Sequence, residues 1–88
     1  MTKQETKDRR IKSIEQLKKL AEKGLECFIL LNGGLRSSKF IEYSQKDNTF
    51  YVFNYIDDSD QTLTESQILD SNYTNIGEAI QKGALIMD

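Results

Sequence analysis

Three strand-like segments separated by two short turn signals constrain the fold of this chain most. Residues 26–32 (ECFILLN) and 49–56 (TFYVFNYI) are dense in the aromatic and branched apolar residues that strands favour. Residues 36–44 (RSSKFIEYS) lie between them. Gly33-Gly34 and Asp47-Asn48 tolerate the positive φ angles of tight hairpin turns. The segment therefore predicts a three-stranded antiparallel meander.

Helix signals flank this meander on both sides. Three residue pairs have the spacing of a capping box, namely Ser13 with Gln16, Thr64 with Gln67, and Asn75 with Glu78. They predict helices over residues 14–23, 65–70 and 76–82, and Gly24 and Gly83 suit the helix ends. The apolar residues 84–87 are a candidate for a short fourth strand, which would make strand one interior by pairing beside it.

The predicted fold class is α+β, with an N-terminal helix, a three-stranded antiparallel meander, C-terminal helices and a short fourth strand. The 88 residues fit one domain. Charge is uneven along the chain, because residues 1–23 carry eight Lys/Arg and four Asp/Glu, whereas residues 24–88 carry four and ten. We expect residues 1–12 to be a flexible basic arm and residues 13–88 to form the domain.

The turns also predict which strand residues share a face of the sheet. Two-residue turns at Gly33-Gly34 and Asp47-Asn48 would pair Leu31 with Arg36 and Phe40 with Tyr55. The first face, expected to be the core, then holds Phe28, Leu30, Ile41, Tyr43, Phe50, Val52 and Ile56. The second holds Cys27, Ile29, Leu31, Arg36, Phe40, Glu42, Tyr51, Phe53 and Tyr55. A slip of one residue in either turn would exchange these faces.

The second face is too aromatic for an ordinary solvent face, and it provides the candidate binding residues. They are Tyr51, Phe53, Tyr55, Phe40, Arg36 and Lys39. This face could be a second packed core, a protein-binding surface or a stacking platform for single-stranded nucleic acid. We expect a non-enzymatic protein-interaction module that binds a partner protein or a second copy, through this face or the exposed edge of strand three. The alternative is a single-stranded nucleic-acid binder that uses the same face and the basic arm.

The sequence offers little for catalysis, cofactors or metals. It contains no His and one Cys, which excludes imidazole-based catalysis and the usual zinc ligand sets. Gly33-Gly34 lacks the P-loop spacing and the following helix. We expect residues 57–60 to form a charged loop after the third strand, and their acids lack the calcium-loop pattern. We therefore expect no enzyme activity, no cofactor and no metal. A lone Cys, together with the absence of a signal peptide or membrane span, favours the cytoplasm.

The segments LLNGGLRSSKFIEY, FYVFNYIDDSDQTLTE and TNIGEAIQKGALI resemble small uncharacterised bacterial proteins of the kind found in gut-bacterial genomes and mobile elements. The resemblance covers about residues 13–87. It implies an accessory role, for example in a mobile element, rather than one in core metabolism. It carries no known activity and assigns no functional residues.

Overall fold

The computed structural model describes residues 8–31 and 34–88 and shows an α+β fold with a five-stranded antiparallel sheet. The strands lie in the order β4-β3-β2-β1-β5. The elements along the chain are α1 (Ile14–Ala21), β1 (Leu25–Leu31), β2 (Leu35–Ser44), β3 (Thr49–Asn54), β4 (Ser59–Thr64), α2 (Glu65–Leu69), α3 (Ile76–Lys82) and β5 (Leu85–Met87). The predicted fourth strand is confirmed as β5, which pairs beside β1.

The three helices cover one face of the sheet. Their buried residues belong to the same core cluster as the strand residues that point to this side. The strand contribution comprises Leu25, Cys27, Ile29, Ile41, Tyr43, Phe50, Val52, Leu63 and Leu85. The helices add Leu17, Ala21, Ile68, Ile76, Ala79 and Ile80. A single apolar core therefore lies between the sheet and its helices, as expected of a two-layer fold.

The predicted register of the first hairpin is wrong by one residue. Leu31 pairs with Leu35 and Cys27 pairs with Lys39, so three residues, 32–34, connect the strands. Asn32 and Gly33 lie outside the described residues, whereas the Gly34 N–H donates to the Leu31 carbonyl at 2.9 Å. Because side chains alternate, the slip moves every β1 residue to the other face. β1 is accordingly buried on one face and partly exposed on the other, not covered on both.

The predicted register of the second hairpin is wrong by two residues, which leaves its faces unchanged. Phe40 pairs with Phe53 and Glu42 with Tyr51 across a four-residue turn at 45–48. Asn48 has the positive φ expected of this turn, +55°. Side chains alternate between the two faces of a strand, so a shift of two residues leaves each side chain on its predicted face. The aromatic residues predicted to share a face therefore still share one.

β4 is the strand that the sequence analysis missed, and it overturns the prediction of an exposed strand-three edge. Residues 57–60 were expected to form a charged loop, but β4 starts at Ser59 and pairs with β3 along its whole length. Its sequence, SDQTLT, is polar, and Leu63 is its one buried residue. An edge strand of this kind lacks the apolar pattern by which strands are recognised. β3 is therefore an interior strand.

The predicted helix caps are confirmed at two of the three positions. The Gln16 N–H donates to Ser13 Oγ, although the Gln16 side chain accepts from Lys12 rather than from Ser13 itself. Thr64 and Gln67 form the full reciprocal box. Asn75 makes no side-chain cap, since Thr74 Oγ1 instead accepts from the Ile76 N–H at 3.3 Å. Local side chains thus fix the helix starts.

The packed domain includes part of the segment predicted as a flexible arm. Ile11 is completely buried, and its N–H donates to the Leu85 carbonyl at 2.9 Å. The Met87 N–H donates to the Arg9 carbonyl at 2.8 Å. Residues 9–11 therefore lie along the outer edge of β5. Residues 1–7 of the predicted arm lie outside the described residues.

Gly77 brings α3 close to α2, and we expect Gly77→Ala to lower the free energy of unfolding by about 2 kcal/mol. An alanine Cβ at this position would lie 2.8 Å from Leu69 Cα and 2.9 Å from the Leu69 carbonyl oxygen. These are backbone atoms, so they cannot rotate away. Urea unfolding followed by circular dichroism measures the difference.

Glu78→Ala is the matched control, because it adds an alanine to the same helix at an exposed position. We expect it to change stability by less than about 0.5 kcal/mol. Gly77→Ala would contradict the close approach if it left stability unchanged or raised it. That result would mean that the better helix propensity of Ala outweighs the contact with Leu69.

Candidate functional site

The sheet face opposite the helices carries five aromatic side chains, which we call the aromatic face. They are Phe28 on β1, Phe40 on β2, Tyr51 and Phe53 on β3, and Tyr55 just after β3. Cross-strand pairing brings them together, since Phe40 lies opposite Phe53. The Tyr55 N–H donates to the carbonyl of Ser38, the residue opposite Phe28. The five rings therefore lie on one face of three neighbouring strands.

The aromatic face is partly open to solvent. Tyr55 is 44% exposed, and the other four aromatic residues are partly buried. Among the described elements, each helix contributes its buried residues to the core on the other side of the sheet. The partial burial of these rings therefore comes from their strand neighbours, from Gly24 just before β1 and from one another.

Neighbouring groups hold the rings of the aromatic face in place. Phe53 and Tyr55 pack edge to face, with centroids 5.1 Å apart and planes at 80°, a favourable geometry for aromatic pairs. Phe40 packs against Gly24, where an added Cβ would lie 2.9 Å from the Phe40 ring. Gly24 also has a φ of +87°, so both the backbone conformation and the close ring favour a glycine here. The surface is thus ordered before anything binds to it.

Carboxylates accept hydrogen bonds from both tyrosines of the aromatic face. Tyr55 Oη donates to Glu26 Oε2 at 3.0 Å, and Tyr51 Oη donates to Asp60 Oδ2 at 2.9 Å. The bond to Asp60 is the main cause that raises the pKa of Tyr51. Desolvation, followed by the bond to Glu26, raises the pKa of Tyr55. Both phenols therefore remain neutral donors at physiological pH, and both carboxylates remain beside aromatic rings.

Two arginines lie on this side of the sheet, Arg36 on β2 and Arg10, which pairs with Ile86 opposite Phe28 and forms an ion pair with Asp8. The Arg36 guanidinium lies 4.5 Å from the centroid of the Phe28 ring, within the range of a cation–π interaction. Beside this pair is an open groove of about 340 Å³. It is lined by Glu26, Cys27, Phe28, Arg36, Ser38, Lys39, Tyr55 and Asp88. The groove thus combines an aromatic floor with two acidic residues, Glu26 and Asp88, and two basic ones, Arg36 and Lys39.

The structure brings five of the six predicted site residues together and separates the sixth. Phe40, Tyr51, Phe53, Tyr55 and Arg36 all belong to the aromatic face or lie on it. Lys39 occupies the alternate position on β2, so its side chain points to the helix side, where the residue is 6% exposed. It is therefore not part of the aromatic face.

Phe28, Glu26 and Asp60 belong to this surface but were not predicted to do so from the sequence. Phe28 and Glu26 were placed wrongly or left out because the first hairpin register was off by one residue. Asp60 was assigned to a loop, whereas it lies opposite Phe53 on β4. No local sequence signal showed that the connection between β1 and β2 has three residues rather than two.

Lys39 and Cys27 are neighbours on the helix side and have no evident chemical role. Burial lowers the pKa of the Lys39 ammonium, and no ion pair joins it to another described residue. Burial raises the pKa of the Cys27 thiol to about 12. A thiol with so high a pKa is a poor nucleophile at neutral pH. This pair therefore gives no support to a catalytic reading.

We expect Lys39→Met to raise the free energy of unfolding at pH 7 by about 1 kcal/mol. Methionine has a side chain of similar length but lacks the buried amine. The folded state disfavours the charged form, so its lysine pKa lies below the ordinary 10.5 of the unfolded chain. The penalty is complete below the folded pKa and disappears as pH rises toward 10.5. The advantage of the variant should therefore shrink between urea unfolding at pH 7 and at pH 10.

Lys46→Met is the control, since Lys46 is exposed in the turn between β2 and β3. We expect it to change stability by less than about 0.5 kcal/mol at either pH. Destabilisation by Lys39→Met at pH 7 would show that the fold stabilises the ammonium, contrary to this account.

Neither the remaining features of the chain nor its comparison with known proteins assigns a function. Across residues 8–31 and 34–88, no helix is long and apolar enough to span a membrane. The same residues contain no group of three or more His, Cys, Asp or Glu side chains placed to hold a metal ion. No family model, curated protein or solved structure matches the chain.

Proposed function

We propose that the chain is a non-enzymatic protein-interaction module whose binding surface is the aromatic face. The observation that carries this proposal is a patch of five aromatic residues on the side of the sheet that the described helices leave open. Contiguous exposed apolar patches of this kind commonly mark interaction sites. The accessory role and the cytoplasmic location inferred from the sequence stay predictions.

The composition of the aromatic face supports protein binding. Tyrosine contributes a large apolar contact area with a polar end and is enriched among the residues that dominate binding energy. Tyr51 and Tyr55 have their hydroxyl groups fixed by carboxylates. A partner would therefore meet side chains that lose little conformational freedom on binding, which favours affinity.

The charges around the aromatic face disfavour the alternative of single-stranded nucleic acid. Such proteins combine stacking rings with a positively charged groove that follows the phosphate backbone. Here Glu26, Glu42 and Asp60 belong to the same face, whereas its cations are Arg36 and an Arg10 that is already paired with Asp8. Phosphates would thus meet more negative than positive charge.

Photo-crosslinking tests the proposal directly. We expect p-benzoylphenylalanine at position 55 to give discrete protein adducts in bacterial cells that produce the full chain at a low level. Tyr73 is the matched control position, because it is also a tyrosine, is 50% exposed and follows α2 outside the aromatic face. Position 73 should give few or no adducts.

A second substitution shows whether the adducts depend on the surface. Tyr51→Ala in the position-55 background should reduce their yield at least fivefold, since truncation of a central aromatic contact commonly costs more than about 1 kcal/mol of binding. Equal adducts at positions 55 and 73, or adducts that nuclease treatment removes, would contradict the proposal.

An RNA titration separates the two candidate functions. A short mixed-sequence single-stranded RNA, followed by amide NMR at low and moderate salt, should leave Phe40, Tyr51, Phe53 and Tyr55 unshifted. Electrostatic repulsion by the neighbouring carboxylates is the physical reason. Shifts at these residues that weaken steeply with salt would instead favour nucleic-acid binding, because phosphate contacts release counterions.

A further inference from the structure

The acidic residues on and beside the aromatic face indicate the chemistry of its partner. Four carboxylates surround the rings, namely Glu26, Glu42, Asp60 and Asp88. Arg36 lies on this surface, and Arg10, next to Ile86 at its margin, is paired with the carboxylate of Asp8. The face is therefore negatively charged overall. Complementary charge steers association and selects partners more than it adds raw affinity.

Two of these carboxylates accept hydrogen bonds from the tyrosines of the aromatic face. Glu26 accepts from the Tyr55 hydroxyl at 3.0 Å, and Asp60 accepts from the Tyr51 hydroxyl at 2.9 Å. Each arrangement places a negative charge at the edge of a ring whose face is also negative in its quadrupole. A cation that stacks on the ring can therefore also approach the carboxylate, so both interactions favour the same kind of group.

The chain already contains one example of this interaction. The Arg36 guanidinium lies 4.5 Å from the centre of the Phe28 ring. Within the described part of the chain, no Lys or Arg lies over the rings of Tyr51, Phe53 or Tyr55. These three rings therefore remain available to cationic groups from outside.

We propose that the aromatic face binds an arginine-rich segment of a partner protein. The guanidinium groups stack on Tyr51, Phe53 and Tyr55 and pair with Glu26 and Asp60. Arginine is favoured over lysine because its planar guanidinium both stacks on aromatic rings and pairs with carboxylates in a fixed geometry. This inference rests on the proposed function and names the class of its partner.

A second copy of the chain is a poorer occupant of this face. Face-to-face association would bring the same four carboxylates of two molecules together, and like charges across an interface oppose binding. A dimer through this surface would therefore be expected to weaken at low salt, whereas an arginine-rich partner would bind more tightly there.

The test uses a synthetic ten-residue peptide that alternates Arg and Ser, titrated into the full chain and followed by amide NMR at low and moderate salt. We expect shifts at Phe28, Tyr51, Phe53 and Tyr55, and affinity a fewfold higher than for the matching Lys-Ser peptide. The Glu-Ser peptide should cause no shifts. A failure of all basic peptides to bind, or shifts confined to other surfaces, would overturn the inference.

Matched charge substitutions separate this site from general attraction to a negative protein. Glu26→Gln keeps a hydrogen-bond acceptor for Tyr55 but removes the charge, and it should weaken Arg-Ser peptide binding by about threefold to fivefold, as expected for one solvent-exposed ion pair. Glu15→Gln removes the same charge from exposed α1, on the helix side, and should change the affinity by less than about twofold on the same grounds. Equal losses in both variants would overturn the inference.

The outcomes also distinguish this inference from the proposed function. Protein crosslinks at position 55 without basic-peptide binding would reject the arginine-rich partner and leave the interaction module standing. Sedimentation showing a dimer that Tyr55→Ala disrupts would likewise reject this partner in favour of a second copy. Loss of both crosslinks and peptide binding would reject the two proposals together.

Discussion

The pairing of β1 with β2 decides which side chains of this protein are buried. With Cys27 opposite Lys39, the apolar residues Leu25, Cys27 and Ile29 join the side that the helices cover. A register shifted by one residue would put these three on the other face and bury Phe28 and Leu30 instead. Both the core and the aromatic face therefore depend on the same hairpin.

β5 and residues 9–11 cover the side of β1 that does not pair with β2. β5 pairs on the free side of β1, so that β1 becomes an interior strand. Ile11 then adds a fully buried side chain, and its backbone bonds to β5. Segments close to the two ends of the sequence thus support the strand whose register places the core, which makes the fold depend on contacts between distant parts of the chain.

The aromatic face follows from the same two-layer arrangement. The described helices all pack on one side of the sheet, so the apolar residues of the opposite side are not covered by a helix. The rings on that side pack against one another and against Gly24, and the tyrosine hydroxyls donate hydrogen bonds to Glu26 and Asp60. The result is an ordered surface with apolar area still exposed and a negative charge around it. These are properties that suit binding to a complementary partner.

Caps, apolar periodicity and positive-φ residues act over a few positions, so the amino-acid sequence was enough to predict the helices, four of the five strands and the turn residues. Ser13, Thr64 and Gly83 illustrate such local control. It also grouped Phe40, Tyr51, Phe53 and Tyr55, since their alternation survives a shift of two residues in the second hairpin. Four features could be known only from the packed molecule. They are the length of the first hairpin loop, the face to which β1 belongs, the pairing of the polar strand β4 and the burial of Lys39. These features depend on which distant side chains exclude water together, and no short stretch of sequence contains that information.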